Sequence, residues 1–435
     1  MMMVLIALLV IVLLGWVFPR LAAVFYHCLC KIFKIGLMNK MKFVIVGCGR
    51  IAHLHVAGYK QHADGMLWGV YDKNLKTAKA FAAKHGIKKV YDSFEAVLKD
   101  ADVVGVELII PHHLHCAYTV RAAQAKKHVS VQKPMAMNLA ECDQMIQAAK
   151  ANGVKLKVYE NFVFYPPYQK AKELLDAGEI GTPAGIRLKM NNGTLLSRNV
   201  PDIGKKKLSD NRAEGLPETG WKIDTKSWLW RFNETLSGGG PTVFDDGYHK
   251  FSLAIYFLGP VEKVVAWIDQ TAVVPGIYND VPAVVMWKYK DKPLYGTWDI
   301  VSSDEMYITS KYYTCDERVE MTGSRGVIWV TRCTGTLMPE VAPVLMYRDG
   351  KTAEFWEMPH DWQDSFIRCT ADFIEAIRDD QDPILTGEQG RAVLKFALAT
   401  VDSSRKNQAI YLDDYEDQPV PKRRGLLGGV LFKKR

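Results

Sequence analysis

No Cys-x-x-Cys pair occurs in this chain of 435 residues. Its eight cysteines, Cys28, Cys30, Cys48, Cys116, Cys142, Cys315, Cys333 and Cys369, are scattered. That spacing excludes a disulfide framework and a cysteine zinc site, and it fits free thiols in a reducing compartment. No metal is expected. No basic stripe is interleaved with aromatics, and the formal charge of +8 is modest for the length, so nucleic acid is not an expected partner. No internal repeat is present. The N-terminus lacks the basic leader, the twin arginines and the small-residue cleavage site of a secretory signal.

What the chain does have is an ordinary globular composition, 48% hydrophobic and 24% charged, with length for two domains and extensions. Residues 1–40 form an apolar N-terminal segment. From Met1 to Pro19 it is almost wholly apolar, close to the roughly 20 residues that span a bilayer. Arg20, Lys31, Lys34, Lys40 and Lys42 follow it, and positive charge on that flank puts the rest of the chain in the cytoplasm. The expectation is an N-terminal apolar helix that anchors the protein to the cytoplasmic side of a membrane. Translation from Met38 or Met41 would remove it and leave a cytoplasmic protein. At the other end, residues 413–435 read as a basic flexible tail, with Lys422-Arg423-Arg424 and Lys433-Lys434-Arg435. Such a tail either meets anionic lipid or simply solubilises the chain.

Residues 42–52 organise the fold. The apolar run Phe43–Val46 reads as a buried strand, Gly47-x-Gly49-x-x-Ala52 as a turn, and Ile51–Gln61 as a helix. Strand, glycine turn and helix in this order are what a dinucleotide-binding unit requires. Gly47 permits the tight turn, Gly49 leaves room for a pyrophosphate, and the helix N-terminus offers N–H groups to the phosphates. A second strand, Leu67–Tyr71, ends in Asp72, twenty residues after Ala52, where a carboxylate takes the ribose hydroxyls. Asp72 repels a 2′-phosphate, so NAD is expected; Lys73 and Lys76 leave NADP open.

Strands and helices continue to alternate through Lys155–Tyr159, which gives a parallel sheet covered on both faces: an α/β Rossmann domain over 41–159. From 160 the pattern changes. Long β-prone stretches lie at Ala184–Met190, Val261–Gln270, Ala283–Tyr289, Leu294–Ile300, Val319–Thr322 and Gly326–Thr331, with helices over Ser365–Arg378 and Gly390–Arg405. Residues 160–412 are therefore expected to form an α+β domain with a large, mostly antiparallel sheet. A polar insertion runs from Asn191 to Ser237 and carries Lys205-Lys206-Lys207.

Four stretches carry the candidate chemistry: Gly47-x-Gly49-x-x-Ala52, Pro111-x-x-Leu114-His115, Lys133-Pro134, and Gly238-Gly239-Gly240 followed by Asp245-x-Gly247-x-His249. With Asn161-x-x-Phe164-x-Pro166, and in this order, they resemble the glucose–fructose oxidoreductase and inositol dehydrogenase (Gfo/Idh/MocA) family over roughly residues 41–410. The chain departs from that family at Gln132, where the family's Glu-Lys-Pro triplet has glutamate, and at Phe162 and Val163, where an arginine is common. The resemblance implies cofactor contacts from Gly47, Gly49, Arg50, Ile51, Ala52, Asp72, Pro111, His115, Gln132, Lys133 and Asn161. It also implies a homodimer or homotetramer, and an antiparallel sheet with helices enough for one face needs a second cover.

Lys133 follows a parallel strand at its C-terminal end, where open α/β sheets bind ligands, and a lysine there can donate to a substrate hydroxyl. Asp245 and His249 are four residues apart and, on a helix, share a face. His249 then suits removal of an alcohol proton, with Asp245 orienting its ring. Trp230 and Arg231, just before the glycines, are candidates to line the substrate pocket together with Lys133, Asp245 and His249. The function expected is an NAD(P)-dependent oxidoreductase moving hydride between nicotinamide and a sugar, cyclitol or related polyol, nucleotide sugars included. Two other readings stay open: a glycosidase or lyase with transient oxidation by NAD, and a non-catalytic nucleotide-binding module.

Overall fold

Strand β1 (Met41–Val46) has four consecutive fully buried residues, Phe43 to Val46, because it lies at the centre of a sheet covered on both faces. The computed structural model describes residues 40–193, 219–221, 228–274, 277–303 and 306–417. The expected N-terminal apolar helix, Cys28, Cys30, the lysine run at 205–207 and the tail beyond 417 lie outside these residues. Among the described residues no helix is long and apolar enough to cross a membrane.

β1 pairs with β2 (Gly65–Tyr71) and β4 (Val103–Leu108), and the sheet is completed by β3 (Lys89–Val90), β5 (His128–Gln132) and β6 (Leu156–Tyr159). All pairings are parallel, in the order β3-β2-β1-β4-β5-β6. This is the doubly wound order, whose ligand crevice opens at the carboxyl ends of β1 and β4. The connecting helices are α1 (Ala52–Gln61), α2 (Leu75–His85), α3 (Phe94–Lys99), α4 (His115–Gln124) and α5 (Leu139–Asn152). Asn74 and Asn138 accept backbone N–H groups at the starts of α2 and α5, as short polar side chains do at helix N-termini.

After α6 (Pro166–Asp176) comes the second sheet, with long strands β7 (Pro183–Asn192), β8 (Val261–Ile268), β9 (Ala283–Tyr289), β10 (Tyr295–Ser302), β11 (Cys315–Gly323), β12 (Gly326–Val330), β13 (Val344–Arg348) and β14 (Lys351–Phe355). A short β15 (Ile410–Tyr411) closes the edge beside β8. Their order is β14-β13-β12-β11-β7-β10-β9-β8-β15. The pairings along this path are antiparallel except that between β7 and β10. One face is sealed by α7 (Gly247–Leu258) and α9 (Gly387–Lys406): Phe251 meets Trp298 at 5.6 Å and Phe396 at 4.5 Å between ring centroids. The other face exposes Trp267, Val284, Met286 and Tyr295.

Helix α8 (Trp362–Arg378) returns to the first sheet. Phe373 packs on Phe43, and the Tyr159 hydroxyl donates to the Phe366 carbonyl at 2.8 Å. Both C-terminal helices begin earlier than their apolar spacing indicates, because capping boxes start them: Asp361 with Asp364, and Thr386 with Gln389.

Candidate active site

At the end of β1, Gly47 has φ +99° and a side chain there would sit 2.1 Å from the Ile109 carbonyl oxygen. Only glycine closes this turn against the strand beside it. A side chain at Gly49 would meet nothing within 4 Å, so open space lies in front of the loop. Helix α1 then begins with no side-chain cap and no acid in its first turn, which leaves its positive end to an anion. Asp72 stands at the end of β2. Its carboxylate accepts from the Cys48 N–H at 2.9 Å and the Asn74 N–H at 2.8 Å, which fixes it beside the glycine loop with lone pairs to spare. The residues present fit a dinucleotide: glycine loop and helix end for the pyrophosphate, Asp72 for the ribose.

Lys133 follows β5. Its Nζ donates to the Asp245 carbonyl at 2.7 Å and to Asp245 Oδ1 at 2.9 Å. Arg231 Nε donates to Asp245 Oδ2 at 2.9 Å. Burial alone raises the Asp245 carboxyl, but the charges of Lys133 and Arg231 overturn this and hold it well below the usual carboxylate range. Arg231 also lies over the Trp230 ring, which meets His112 edge-on at 4.7 Å. His112 Nδ1 donates to the Ser237 carbonyl at 2.8 Å, and burial pushes its pKa down to about 3, so the ring is neutral. Lys133, Asp245, Trp230 and Arg231 thus meet at one place.

The expected partner of His249 is a correction. Asp245 does not orient that ring. Residues Pro241–Asp246 form a wide π-type turn before α7 starts at Gly247, so the four-residue spacing does not stack the two side chains. Glu160, at the end of β6, takes that place: both its carboxylate oxygens lie 2.7 Å from His249 Nδ1. Phe162 stacks on the imidazole at 3.9 Å and 9°. Among the described residues nothing is hydrogen-bonded to His249 Nε2. Burial pushes both groups towards their neutral forms, Glu160 up to about 8 and His249 well down, and Lys133 and Lys250 lower the histidine further. The charge of Lys133 acts on Glu160 as well, drawing its carboxyl down. Lys250, buried under Phe162, is itself held by Asp246 at 2.6 Å and Glu317 at 2.5 Å.

Other expected cofactor residues have structural partners. His115 ties two loops together, facing the Ile110 carbonyl at 2.8 Å with Nε2 and the Pro134 carbonyl at 3.0 Å with Nδ1. Asn161 donates to the Ser365 hydroxyl at 2.7 Å, and Pro111 opens the turn that carries His112. Gln132 bonds Lys133 and His55. Arg50 lies by Trp221, whose ring is 5.7 Å away, so the second half of the chain reaches the glycine loop. At the three glycines the close approach is within the chain: a side chain at Gly240 would sit 2.1 Å from Asp280 Oδ2, and Asp280 accepts from the N–H groups of Thr242 and Val243. Sequence reasoning missed Glu160 and Phe162. The available signal was an acid at the carboxyl end of a parallel strand, directly before Asn161.

Comparison with known proteins gives the same two halves. A family model described as an oxidoreductase family with an NAD-binding Rossmann fold matches residues 41–160. Its companion, the C-terminal alpha/beta domain of that family, matches residues 218–412. Myo-inositol 2-dehydrogenase of Thermotoga maritima is 24% identical over 381 residues, covering 86% of this chain and 99% of that protein. The NAD(+)-dependent scyllo-inositol 2-dehydrogenase of Bacillus subtilis is 23% identical, covering 86% of this chain and 97% of that protein. Among solved structures, an Agrobacterium radiobacter oxidoreductase in complex with NAD+, L-tartaric acid and magnesium superposes with TM-score 0.70 at 17% identity, over 86% of this chain and 99% of that one. Levoglucosan dehydrogenase with NADH and levoglucosan gives TM-score 0.68 at 18% identity, over 86% and 100%. The glycine turn, the doubly wound sheet and these matches have one meaning: the chain belongs to the Gfo/Idh/MocA family of NAD-binding oxidoreductases.

Proposed function

We propose that the protein oxidises or forms a secondary alcohol on a sugar, cyclitol or related polyol, with NAD as the partner. When bound, NAD accepts or returns a hydride at the nicotinamide ring. The residues of this chain handle the proton and the oxygen. Lys133 Nζ donates to the substrate oxygen, held in place by Asp245. His249 Nε2 takes the hydroxyl proton in oxidation and returns it in reduction, as a positioned imidazole does. Glu160 accepts from Nδ1–H, which leaves the lone pair on Nε2. Arg231 and Trp230 line the pocket above Asp245. The observation that carries this reading is the buried Glu160–His249 pair, on which the charge of Lys133 acts. The inositol and levoglucosan dehydrogenases among its relatives support the substrate class.

A panel of inositols, aldoses and anhydrosugars with NAD and NADP tests it. The expected result is substrate-dependent formation of NADH by a protein that binds NADH. Turnover of a glycoside without net NADH would point to transient oxidation instead. A protein that binds neither nucleotide would refute the reading.

The exposed face of the second sheet supports self-association as part of the same reading. Trp267 and Val284 are cross-strand neighbours on it, with Met286 and Tyr295 beside them, and contiguous exposed apolar area of this kind marks an interface. The apolar segment of residues 1–19 supports a tether to the cytoplasmic face of a membrane. Fractionation of the full chain in low salt decides: recovery wholly in the soluble fraction, with Met1 still present, would contradict the tether.

A further inference from the structure

We infer that Glu107, His55 and Gln132 form a positioning relay that sets Lys133, and that Glu107 supplies the carboxylate that Gln132 lacks. The inference rests on the reading of Lys133 as the active-site lysine. The His55–Glu107 link is buried, the two through Gln132 are half-buried, and all three are directional. The Lys133 backbone N–H donates to Gln132 Oε1 at 2.9 Å. Gln132 Nε2 lies 3.1 Å from His55 Nε2, and His55 Nδ1 is hydrogen-bonded to Glu107 Oε1. His55 and Glu107 are 0% and 1% exposed. Tyr159 packs at a tilt on the His55 ring, 4.0 Å between centroids, and Phe366 meets it edge-on at 5.1 Å.

Each link dictates the next. A backbone N–H only donates, so it requires the oxygen of the Gln132 amide. The NH2 end of that amide only donates, so it requires a lone pair on His55 Nε2. The His55 proton then sits on Nδ1 and requires an acceptor there. A carboxylate is the group that accepts without donating, and Glu107 is that group. With an apolar residue at 107, nothing selects the His55 tautomer. The opposite tautomer sets two donors against each other at Gln132 and frees the amide to turn away from Lys133. Outer hydrogen-bond partners of this kind orient the groups they support. Glu107 has no other role in the mechanism. Its Oε2 is buried, and burial together with Glu107 raises the Tyr59 hydroxyl.

The test reads Lys133 directly. Reductive methylation of the folded full chain with formaldehyde and cyanoborohydride, followed by mass spectrometry, gives the labelling rate of Lys133 relative to exposed Lys73. Glu107→Met and Gln132→Met are expected to raise that ratio by about fivefold, the effect of one net hydrogen bond. The double variant Glu107→Gln with Gln132→Glu rebuilds the relay with reversed polarity: Glu accepts from Lys133 N–H and from His55 Nε2–H, and Gln donates to Nδ1. It is expected to label as the parent does. Folded methionine variants with parental labelling would overturn the relay, and so would a double variant that labels like Gln132→Met. If the methionine variants do not fold, the double variant decides alone, and its failure to fold also counts against the relay. NADH binding to the parent, followed by fluorescence on the same samples, reports separately on the proposed function.

Discussion

At the scale of single residues, the pair Glu160–His249 makes the sharpest demands. Proton removal from an alcohol needs the lone pair of His249 Nε2, and therefore an ionised Glu160 accepting from Nδ1–H. Burial raises the Glu160 carboxyl from 4.5 to about 8, so the rate of alcohol oxidation is expected to rise with pH through that value. Glu160→Gln should abolish that rise and lower the rate about 10²-fold or more; a pH–rate profile of parent and variant checks both. The same shift bears on stability. A group whose pKa is raised on folding stabilises the fold below its unfolded value, and this contribution is lost as pH rises through the folded value. The melting temperature of the parent should therefore fall relative to that of Glu160→Gln between pH 5 and pH 9, which calorimetry would show. Lys133→Met has a different signature. It leaves the buried Asp245 carboxylate with Arg231 and the His112 ring, and breaking a buried pair by removing one partner costs about 3–5 kcal/mol, measurable by urea unfolding. Lys133, His249 and Arg231 were legible from their place in the order of motifs. Glu160 was not, because the four-residue rule assigns Asp245 to His249 and the rule fails where a π-type turn interrupts the helix.

Among elements, the parallel sheet was legible because its main strands are short, largely apolar runs that alternate with helices. The edge of the second sheet was not. β13 and β14 have few buried residues, so they carry no alternation to read. Helix α7 is buried on nearly every side and therefore lacks the amphipathic period that marks a surface helix. The turn before α7 depends on Asp280, which burial raises to about 6 while the N–H groups of Thr242 and Val243 draw it back. A methyl at Gly240 would displace this carboxylate. Gly240→Ala is expected to destabilise the fold by about 2–3 kcal/mol and to weaken the hold of Asp245 on Lys133. Thermal unfolding checks the first effect, and the Lys133 methylation rate the second.

On the scale of the whole molecule, the C-terminal helices tie the two halves together, and the outer face of the second sheet is left open. Trp267→Glu with Val284→Glu puts charge on that face away from the active site. Sedimentation velocity should show the parent as a dimer or tetramer at micromolar concentration and the variant as a smaller species; a monomeric parent would contradict the interface. The sequence pattern showed that the sheet needs a second cover, but no single chain reveals what supplies it. Chemistry is the central claim, and it is tested on one substrate taken from the polyol panel. NADH formation by the parent is compared with that by His249→Asn, together with NADH binding to each. The account predicts equal NADH affinity and a rate at least about 10²-fold lower in the variant. A variant that forms NADH as fast as the parent would contradict it.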